Sequence, residues 1–151
     1  PRRGQRKQNK GKDMLSRIDH IGIVTADAEK VVRLFEEALG VKVAKTEHTD
    51  PGFAKCTFLQ LDNIQIEITE PYDPDHFYTE MVKQRGTCLS HLAFSAGDVE
   101  GECGEIEGRG MGFREGFGPG AKTPRGYSIA FLDPDQTEGV QIQLIAEHPT
   151  G

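Results

Sequence analysis

The sequence has no apolar run that approaches the ~20 residues of a membrane-spanning helix. It also has no apolar stretch after the basic N-terminal residues that would serve as a signal peptide. We therefore expect a protein that has no membrane partner and is located in the cytoplasm.

Cysteine is scarce, and its pattern excludes two kinds of site. Cys56, Cys88 and Cys103 are odd in number and form no CxxC pair. Such a set encodes neither a disulfide framework nor a zinc knuckle. We expect three small residues that are buried or half-buried.

Acidic residues are missing from residues 1–12, which hold six of the 18 Lys and Arg side chains. The rest of the chain holds the other twelve basic side chains and all 24 Asp and Glu. An acidic body repels phosphate, so nucleic acid is excluded as the main ligand. We expect residues 1–15 to be a disordered basic tail and residues 148–151 a short C-terminal tail.

Apolar residues are few for a deeply buried monomer, at 36% with a mean hydropathy of −0.52. The many turn residues, 18 Gly and 8 Pro, account for part of this deficit. A homodimer interface is expected to compensate further. A chain of 151 residues buries roughly two-thirds of its unfolded surface, which suits one compact domain or two fused half-domains.

The chain carries an internal repeat, in which IDHIGI at residues 18–23 recurs as LSHLAF at residues 89–94 and QIEI at 65–68 recurs as QIQL at 141–144. His20 precedes Glu67 by 47 positions, and His91 precedes Gln143 by 52. Each copy therefore offers one imidazole and one oxygen donor. Two copies that face each other would bring four donors to one point, which predicts a divalent-metal site.

Hydrophobic periodicity predicts the order β-α-β-β-β in each half. In the first half (residues 16–71) we predict a helix over residues 28–39 and strands over 17–24, 41–46, 54–61 and 64–69. A connector over residues 72–86 contains a short helix at 76–85. In the second half (residues 87–147) we predict a helix over residues 98–108 and strands over 87–96, 112–117, 127–132 and 140–146.

The long loop over residues 118–126 is rich in glycine and carries Lys122 and Arg125. A loop of this length inside a compact domain is often functional. His48, His76 and His148 have no counterpart in the other half, so we expect them on the surface.

The segments IDHIGIVTADAEKVVRLFEEALG, IQIEITEP, LSHLAF and IAFLDPDQTEGVQIQL resemble the vicinal oxygen chelate (glyoxalase/bleomycin resistance) superfamily over about residues 16–147. Within it, the chain looks most like the methylmalonyl-CoA epimerases. The resemblance implies an α+β fold, in which two tandem βαβββ modules form a mixed sheet curled into a cup. It assigns the four metal-ligand positions to His20, Glu67, His91 and Gln143.

The resemblance also implies an activity. One divalent ion per chain (Co, Ni, Mn, Zn or Fe) would stabilise an enolate formed when the proton α to a carbonyl is removed. The expected function is a metal-dependent epimerase or isomerase. Its expected substrate is a small molecule, either a short-chain acyl-CoA or a keto acid.

Two departures from the epimerase pattern matter for the chemistry. At the position of Gln143 the epimerases have Glu. The amide of Gln143 cannot accept a proton, so Glu67 becomes the expected metal ligand and base. Epimerisation needs a second proton-transfer group, and the resemblance assigns it to Asp50, with Glu47 and His48 as neighbours that could substitute. Glu47 is also expected to contact substrate. The catalytic group is thus Glu67, Asp50 and Gln143.

The second departure is Asp135, which stands where the epimerases have a basic residue. Lys122 and Arg125 are then the side chains expected to bind a substrate carboxylate or phosphate. Two alternatives stay open. One is a lyase of the glyoxalase I type, and the other is a metal-free binding or resistance protein of the same fold.

Overall fold

The structure, a computed structural model, describes residues 15–49 and 53–147. The side chains of residues 44–49 are outside this description. The predicted tails, residues 1–15 and 148–151, lie outside the described residues except for Leu15.

Seven strands and three helices form in the order β-α-β-β-β-α-β-α-β-β. The strands are β1 (Ile18–Val24), β2 (Val43–Thr49), β3 (Ala54–Gln60), β4 (Gln65–Pro71), β5 (Cys88–Ala96), β6 (Ile129–Phe131) and β7 (Ile142–Ala146). The helices are α1 (Ala28–Arg33), α2 (Phe77–Arg85) and α3 (Val99–Gly108).

The strands form one mixed sheet in the order β2-β3-β4-β1-β5-β7-β6. Its centre is the antiparallel pair β1 and β5, and each of these strands has a parallel neighbour on its outer side, β4 and β7 respectively. Residues of β1, β3, β4, β6 and β7 all line one cavity, so the sheet curls around it. The predicted α+β fold with a curled mixed sheet is confirmed.

Local sequence signals explain where two helices begin. Asp27 caps α1 by accepting a hydrogen bond from the Lys30 amide, and Asp98 caps α3 by accepting one from the Gly101 amide. The predicted helix over residues 28–39 continues beyond α1 as one π-helical turn, Leu34–Ala38.

The predicted strand over residues 112–117 is wrong. Phe117 N donates to Arg114 O at 2.9 Å, which folds the segment into a turn. Two backbone hydrogen bonds of 2.8 Å, Arg114 N to Phe131 O and Phe131 N to Phe117 O, attach both ends of this turn to β6. Gly116, at φ +78°, provides the left-handed conformation that an extended strand does not use.

Three apolar clusters hold the helices to the sheet. Ala28 of α1 packs on Leu59 and Ile68, and Cys103 of α3 packs among residues of β5, β6 and β7. The third cluster joins Tyr78 of α2 to residues of β1, β5, β6 and β7. In this way α2, which connects the two halves of the chain, contributes to the floor of the cavity.

Burial tests the expectation for the three cysteines. Cys56 and Cys103 are buried and Cys88 is half-buried, as predicted. Among the described residues, no helix combines the length and the apolar character needed to cross a membrane.

Candidate metal centre

Strand register brings the predicted donors together across the middle of the sheet. Glu67 on β4 lies beside Gly22 on β1, which lies beside His91 on β5. Because residues that are directly paired across strands point to the same face, Glu67 and His91 flank the Gly22 position. A Cβ added to Gly22 would overlap the His91 ring, so only glycine leaves room for this imidazole.

A second row, one pleat along, places the other two donors. His20 on β1 lies beside Ala93 on β5, which lies beside Gln143 on β7. Ala93 here corresponds to Gly22 in the first row, a small residue two positions beyond a histidine. The two rows therefore place both imidazoles between the side chains of Glu67 and Gln143.

Three of the donors are in mutual contact. His20 Nε2 lies 2.9 Å from His91 Nε2 and 3.6 Å from Glu67 Oε2. One ligand atom from each of the three residues lies within 4.8 Å of the others, and this group could hold a metal ion. Two nitrogens and a carboxylate oxygen suit a divalent transition metal.

Gln143 supplies an observation that tests the fit of such an ion. Its side chain is buried and lines the same cavity as His20 and Glu67, yet Oε1 accepts no hydrogen bond from any described residue. A buried amide oxygen without a partner is costly. A cation held by the neighbouring donors would satisfy it, so the residues present fit a metal ion.

The far nitrogens of both imidazoles are anchored, which leaves each Nε2 available as a ligand. Asp19 Oδ1 lies 2.6 Å from His20 Nδ1. His91 Nδ1 lies 2.8 Å from Ser90 Oγ and 3.1 Å from the Tyr78 hydroxyl. Partners of this kind orient metal-binding histidines and select their tautomer.

Sequence analysis missed these anchoring residues. Asp19 and Ser90 each precede a repeat histidine, and that position was the available signal. Tyr78 lies on α2, outside both copies of the repeat, and gave no signal.

The Glu67 carboxylate is also oriented by a neighbour. Thr69 Oγ1 donates to Glu67 Oε1 at 3.0 Å, and Cys56 Sγ lies 3.8 Å from Thr69 Oγ1. With Oε1 held in this way, Oε2 is the oxygen that faces His20.

The two imidazoles differ in their electrostatic environment. Burial lowers the pKa of His20, but the charge of Glu67 and the hydrogen bond to Asp19 outweigh it, so the pKa is raised above 6.5. Burial, together with the nearby His20, holds the pKa of His91 well below 6.5. The two environments therefore shift the imidazole pKa values in opposite directions.

Three of the donors, His20, Glu67 and Gln143, line a cavity of about 240 Å³. Lys122 and Arg125, predicted to contact substrate, both line this cavity. Lys122 Nζ donates to Ser128 Oγ at 2.6 Å, and the Arg125 guanidinium lies 5.8 Å from the centre of the Tyr127 ring.

Two further predicted site residues are only partly accessible to description. Glu47 lies in β2, where its backbone pairs with that of Cys56, a residue that lines the cavity. Its side chain is not described, and Asp50 lies outside the described residues. The roles of both residues stay predictions.

The expected surface position of His76 is wrong. Its ring lines the cavity and stacks 4.7 Å from the rings of Phe53 and Phe77. His76 Nδ1 also accepts a hydrogen bond from the Tyr78 amide at the start of α2. Burial, with the nearby Arg114, lowers its pKa to about 4 against the opposing charge of Asp73. The side chains of His48 and His148 are outside the described part of the chain.

This lowered pKa predicts an acid sensitivity. Between pH 6.5 and about 4 the unfolded chain protonates His76 and the folded protein does not, so the free energy of unfolding falls as the pH falls through that interval. His76→Asn keeps an N-cap acceptor but does not titrate. We expect metal-free His76→Asn to lose less stability than the unaltered protein between about pH 7 and about pH 4.5, as measured by urea unfolding. Equal losses would show that His76 titrates normally.

Comparisons with known proteins agree with this fold. Residues 19–131 match the profile of the family described as Glyoxalase/Bleomycin resistance protein/Dioxygenase superfamily. The Bacillus subtilis (strain 168) protein YqjC, which is uncharacterized, is 24% identical over 86% of this chain and 91% of its own length. The mitochondrial methylmalonyl-CoA epimerase of Mus musculus is 20% identical over 86% of this chain and 72% of its own length.

A similar solved structure is a variant of Streptomyces coelicolor methylmalonyl-CoA epimerase in complex with 2-nitronate-propionyl-CoA. It superposes with a TM-score of 0.79 at 24% identity, covering 89% of this chain and 96% of the epimerase chain. Identity at this level shows a shared fold. Because the family profile spans most of the chain and the fold agrees with it, the chain belongs to the Glyoxalase/Bleomycin resistance protein/Dioxygenase superfamily.

Proposed function

We propose that this protein is a divalent-metal-dependent isomerase that acts at the carbon α to a carbonyl, in the manner of a methylmalonyl-CoA epimerase. The observation that carries the proposal is the close group of His20, His91 and Glu67, together with the unpartnered Gln143 oxygen on the wall of the cavity that His20 and Glu67 also line. The structural neighbours support the reaction class, since several are methylmalonyl-CoA epimerases.

In this proposal His20, Glu67, His91 and Gln143 hold one ion of Co, Ni, Mn, Zn or Fe. When bound, the ion supplies Lewis-acid stabilisation of the negative charge that develops on a substrate carbonyl oxygen. The anchored Nδ1 atoms of both histidines keep the Nε2 atoms directed at that position.

Glu67 is the proposed base. Its carboxylate takes the proton from the α carbon, so that the C–H bond breaks and a carboxyl O–H bond forms, and the electron pair moves toward the carbonyl oxygen. The hydrogen bond from Thr69 restrains the carboxylate while it accepts the proton. Return of a proton to the opposite face of the carbon is assigned to Asp50.

Lys122 and Arg125 are proposed to bind the anionic end of the substrate, a carboxylate or a CoA phosphate. Both line the cavity from the loop over residues 118–126. That loop lies next to β6, on the same side of the sheet centre as Gln143. Substrate would thus lie between this loop and Glu67.

Deuterium exchange tests the proposal. Metal-loaded protein in D₂O should incorporate deuterium at the α carbon of an acyl-CoA or keto acid, as followed by mass spectrometry. Conversion of the hemithioacetal of an aldehyde and a thiol, without exchange into acyl-CoA or keto acids, would favour the glyoxalase I type of lyase. Binding of small molecules with neither reaction would favour a binding protein.

Gln143→Glu predicts a gain of function. Glu67 and Gln143 lie on opposite sides of the two histidines, so the variant places a second carboxylate across from the first. We expect inversion of methylmalonyl-CoA at the α carbon to rise about 100-fold, the contribution typical of one acid–base group. Circular dichroism of the two epimers measures it, with Gln141→Glu on the same segment as the matched control. No gain would point to a different substrate.

A further inference from the structure

Aromatic rings make up a large part of the cavity wall beyond the donors. Six of them come from different parts of the chain: Phe53, Phe58, Tyr78, Phe117, Tyr127 and Phe131. An apolar group of a bound molecule would therefore meet ring faces and ring edges on several sides.

Two of these rings stand directly beside the oxygen donors. Phe58 on β3 pairs with Glu67, and Phe131 on β6 pairs with Gln143. Neighbouring strands lie about 4.8 Å apart. A substituent on a carbon that Glu67 deprotonates therefore lies within contact distance of a ring.

The rings support one another in edge-to-face packing. Phe117 lies 5.5 Å from Phe131 at 88°, and Phe77 lies 5.3 Å from both. The Arg114 guanidinium covers Phe77 at 4.0 Å. This geometry stabilises aromatic clusters beyond the burial of their area, so the wall is held in place before a ligand arrives.

Charged side chains are few in the described cavity wall, and His20, whose pKa is raised above 6.5, belongs to the donor group with Glu67. Among the described lining residues the acid is Glu67, and the cations are Lys122 and Arg125 on a single loop. His76 adds no charge near neutral pH, because its pKa is about 4. One anionic group of a substrate can be matched at that loop. For a second carboxylate on the reacting carbon, the described lining residues offer no further Lys or Arg, whereas a ring there would meet Phe58 or Phe131.

The size of the cavity is consistent with a single ring. An apolar cavity of roughly 150 Å³ accommodates benzene. At about 240 Å³, this cavity has room for a ring together with a short keto or acyl group. A CoA thioester would leave its nucleotide outside.

We propose that the substrate carries an aromatic ring next to the reacting carbon and a single anionic end that meets Lys122 and Arg125. The inference rests on the proposed function, which supplies the reacting carbon. Two kinds of substrate have this chemistry. In an aryl-substituted 2-keto acid the carboxylate is the anionic end, and in an aryl-substituted acyl-CoA the phosphates are the anionic end.

The experiment compares matched pairs of compounds. Phenylpyruvate is paired with 2-oxobutyrate, and 2-phenylpropionyl-CoA with methylmalonyl-CoA. Deuterium exchange at the α carbon is measured with metal-loaded protein, with the Glu67→Gln background subtracted, and binding is measured by calorimetry. In one pair we expect both kcat/KM and binding affinity to be at least about tenfold higher for the aryl member than for its partner. A tenfold ratio corresponds to about 1.4 kcal/mol of ring contact. The pair that responds identifies the source.

Phe117→Leu tests the wall itself. It should reduce the preference for the aryl member, the ratio of the two kcat/KM values within a pair, about tenfold. Phe113→Leu is the matched control, because Phe113 lies on the same segment and packs in the α3 cluster rather than the cavity. Equal losses in the two variants would indicate a general loss of stability and overturn the assignment of the wall.

The outcomes separate this inference from the proposed function. Exchange that is as fast with 2-oxobutyrate and methylmalonyl-CoA as with their aryl partners would overturn the aromatic assignment and leave the isomerase standing. Tight, selective binding of the aryl compounds without exchange would overturn the isomerase and leave the aromatic assignment standing. Neither selective binding nor exchange by metal-loaded protein would overturn both.

Discussion

Glu67→Gln is expected to reduce α-proton exchange about 10³-fold, because it removes the carboxylate that accepts the proton. The amide keeps the size of the side chain and one oxygen near His20. Circular dichroism and the unfolding midpoint should therefore stay close to those of the unaltered protein. Exchange into the preferred substrate, measured in D₂O with each protein loaded with metal, gives the ratio.

Glu70→Gln is the matched control on the same strand. The Glu70 carboxylate accepts a hydrogen bond from the Ala28 amide at the start of α1, away from the donors. We expect that variant to retain exchange and to lose a little stability through the weaker contact at the helix terminus. Retained exchange in Glu67→Gln would remove this residue from the mechanism.

Removal of both repeat histidines, His20→Ala with His91→Ala, is expected to abolish metal binding. The unaltered protein, purified without added metal, should hold about one divalent ion per chain by elemental analysis. The double variant should hold less than about a tenth of that, because two of the four donors are lost. If the unaltered protein holds no metal even after reconstitution, that result would contradict the metal centre and favour a binding protein.

Two further variants distinguish ligand loss from unfolding. His76→Asn removes a histidine that lines the cavity beside His20 but lies outside the group of metal donors, and it should retain the ion. His91→Gln keeps a polar side chain beside Gly22 and should weaken binding while preserving the circular dichroism spectrum. Loss of the ion from all variants alike would mean that folding, rather than ligation, sets the metal content.

Local patterns in the sequence predicted most of the secondary structure, because strand alternation and helix caps depend on residues close together in the chain. The strand over 112–117 failed because its alternating residues fold into a turn whose partner, β6, lies further along the chain. His76 was misplaced for a related reason: its burial depends on Phe53 and Phe77, and the packing of these rings follows from tertiary structure.

The homodimer, the cytoplasmic location and the roles of Asp50 and Glu47 stay predictions. Each depends on contacts outside the described part of this single chain. The assignment of Lys122 and Arg125 to substrate is supported by their position in the cavity wall and is tested by the binding experiments above.

By itself, the sequence determined the donor types, their duplication and the fold class, since repeated strand patterns are visible along one dimension. Tertiary structure alone decided that Gly22 makes room for His91, that Tyr78 from outside the repeat anchors that imidazole, and that six aromatic rings line one cavity. The physical reason is register: hydrogen bonds between strands set which distant residues become neighbours, and the shape of the cavity follows from that choice.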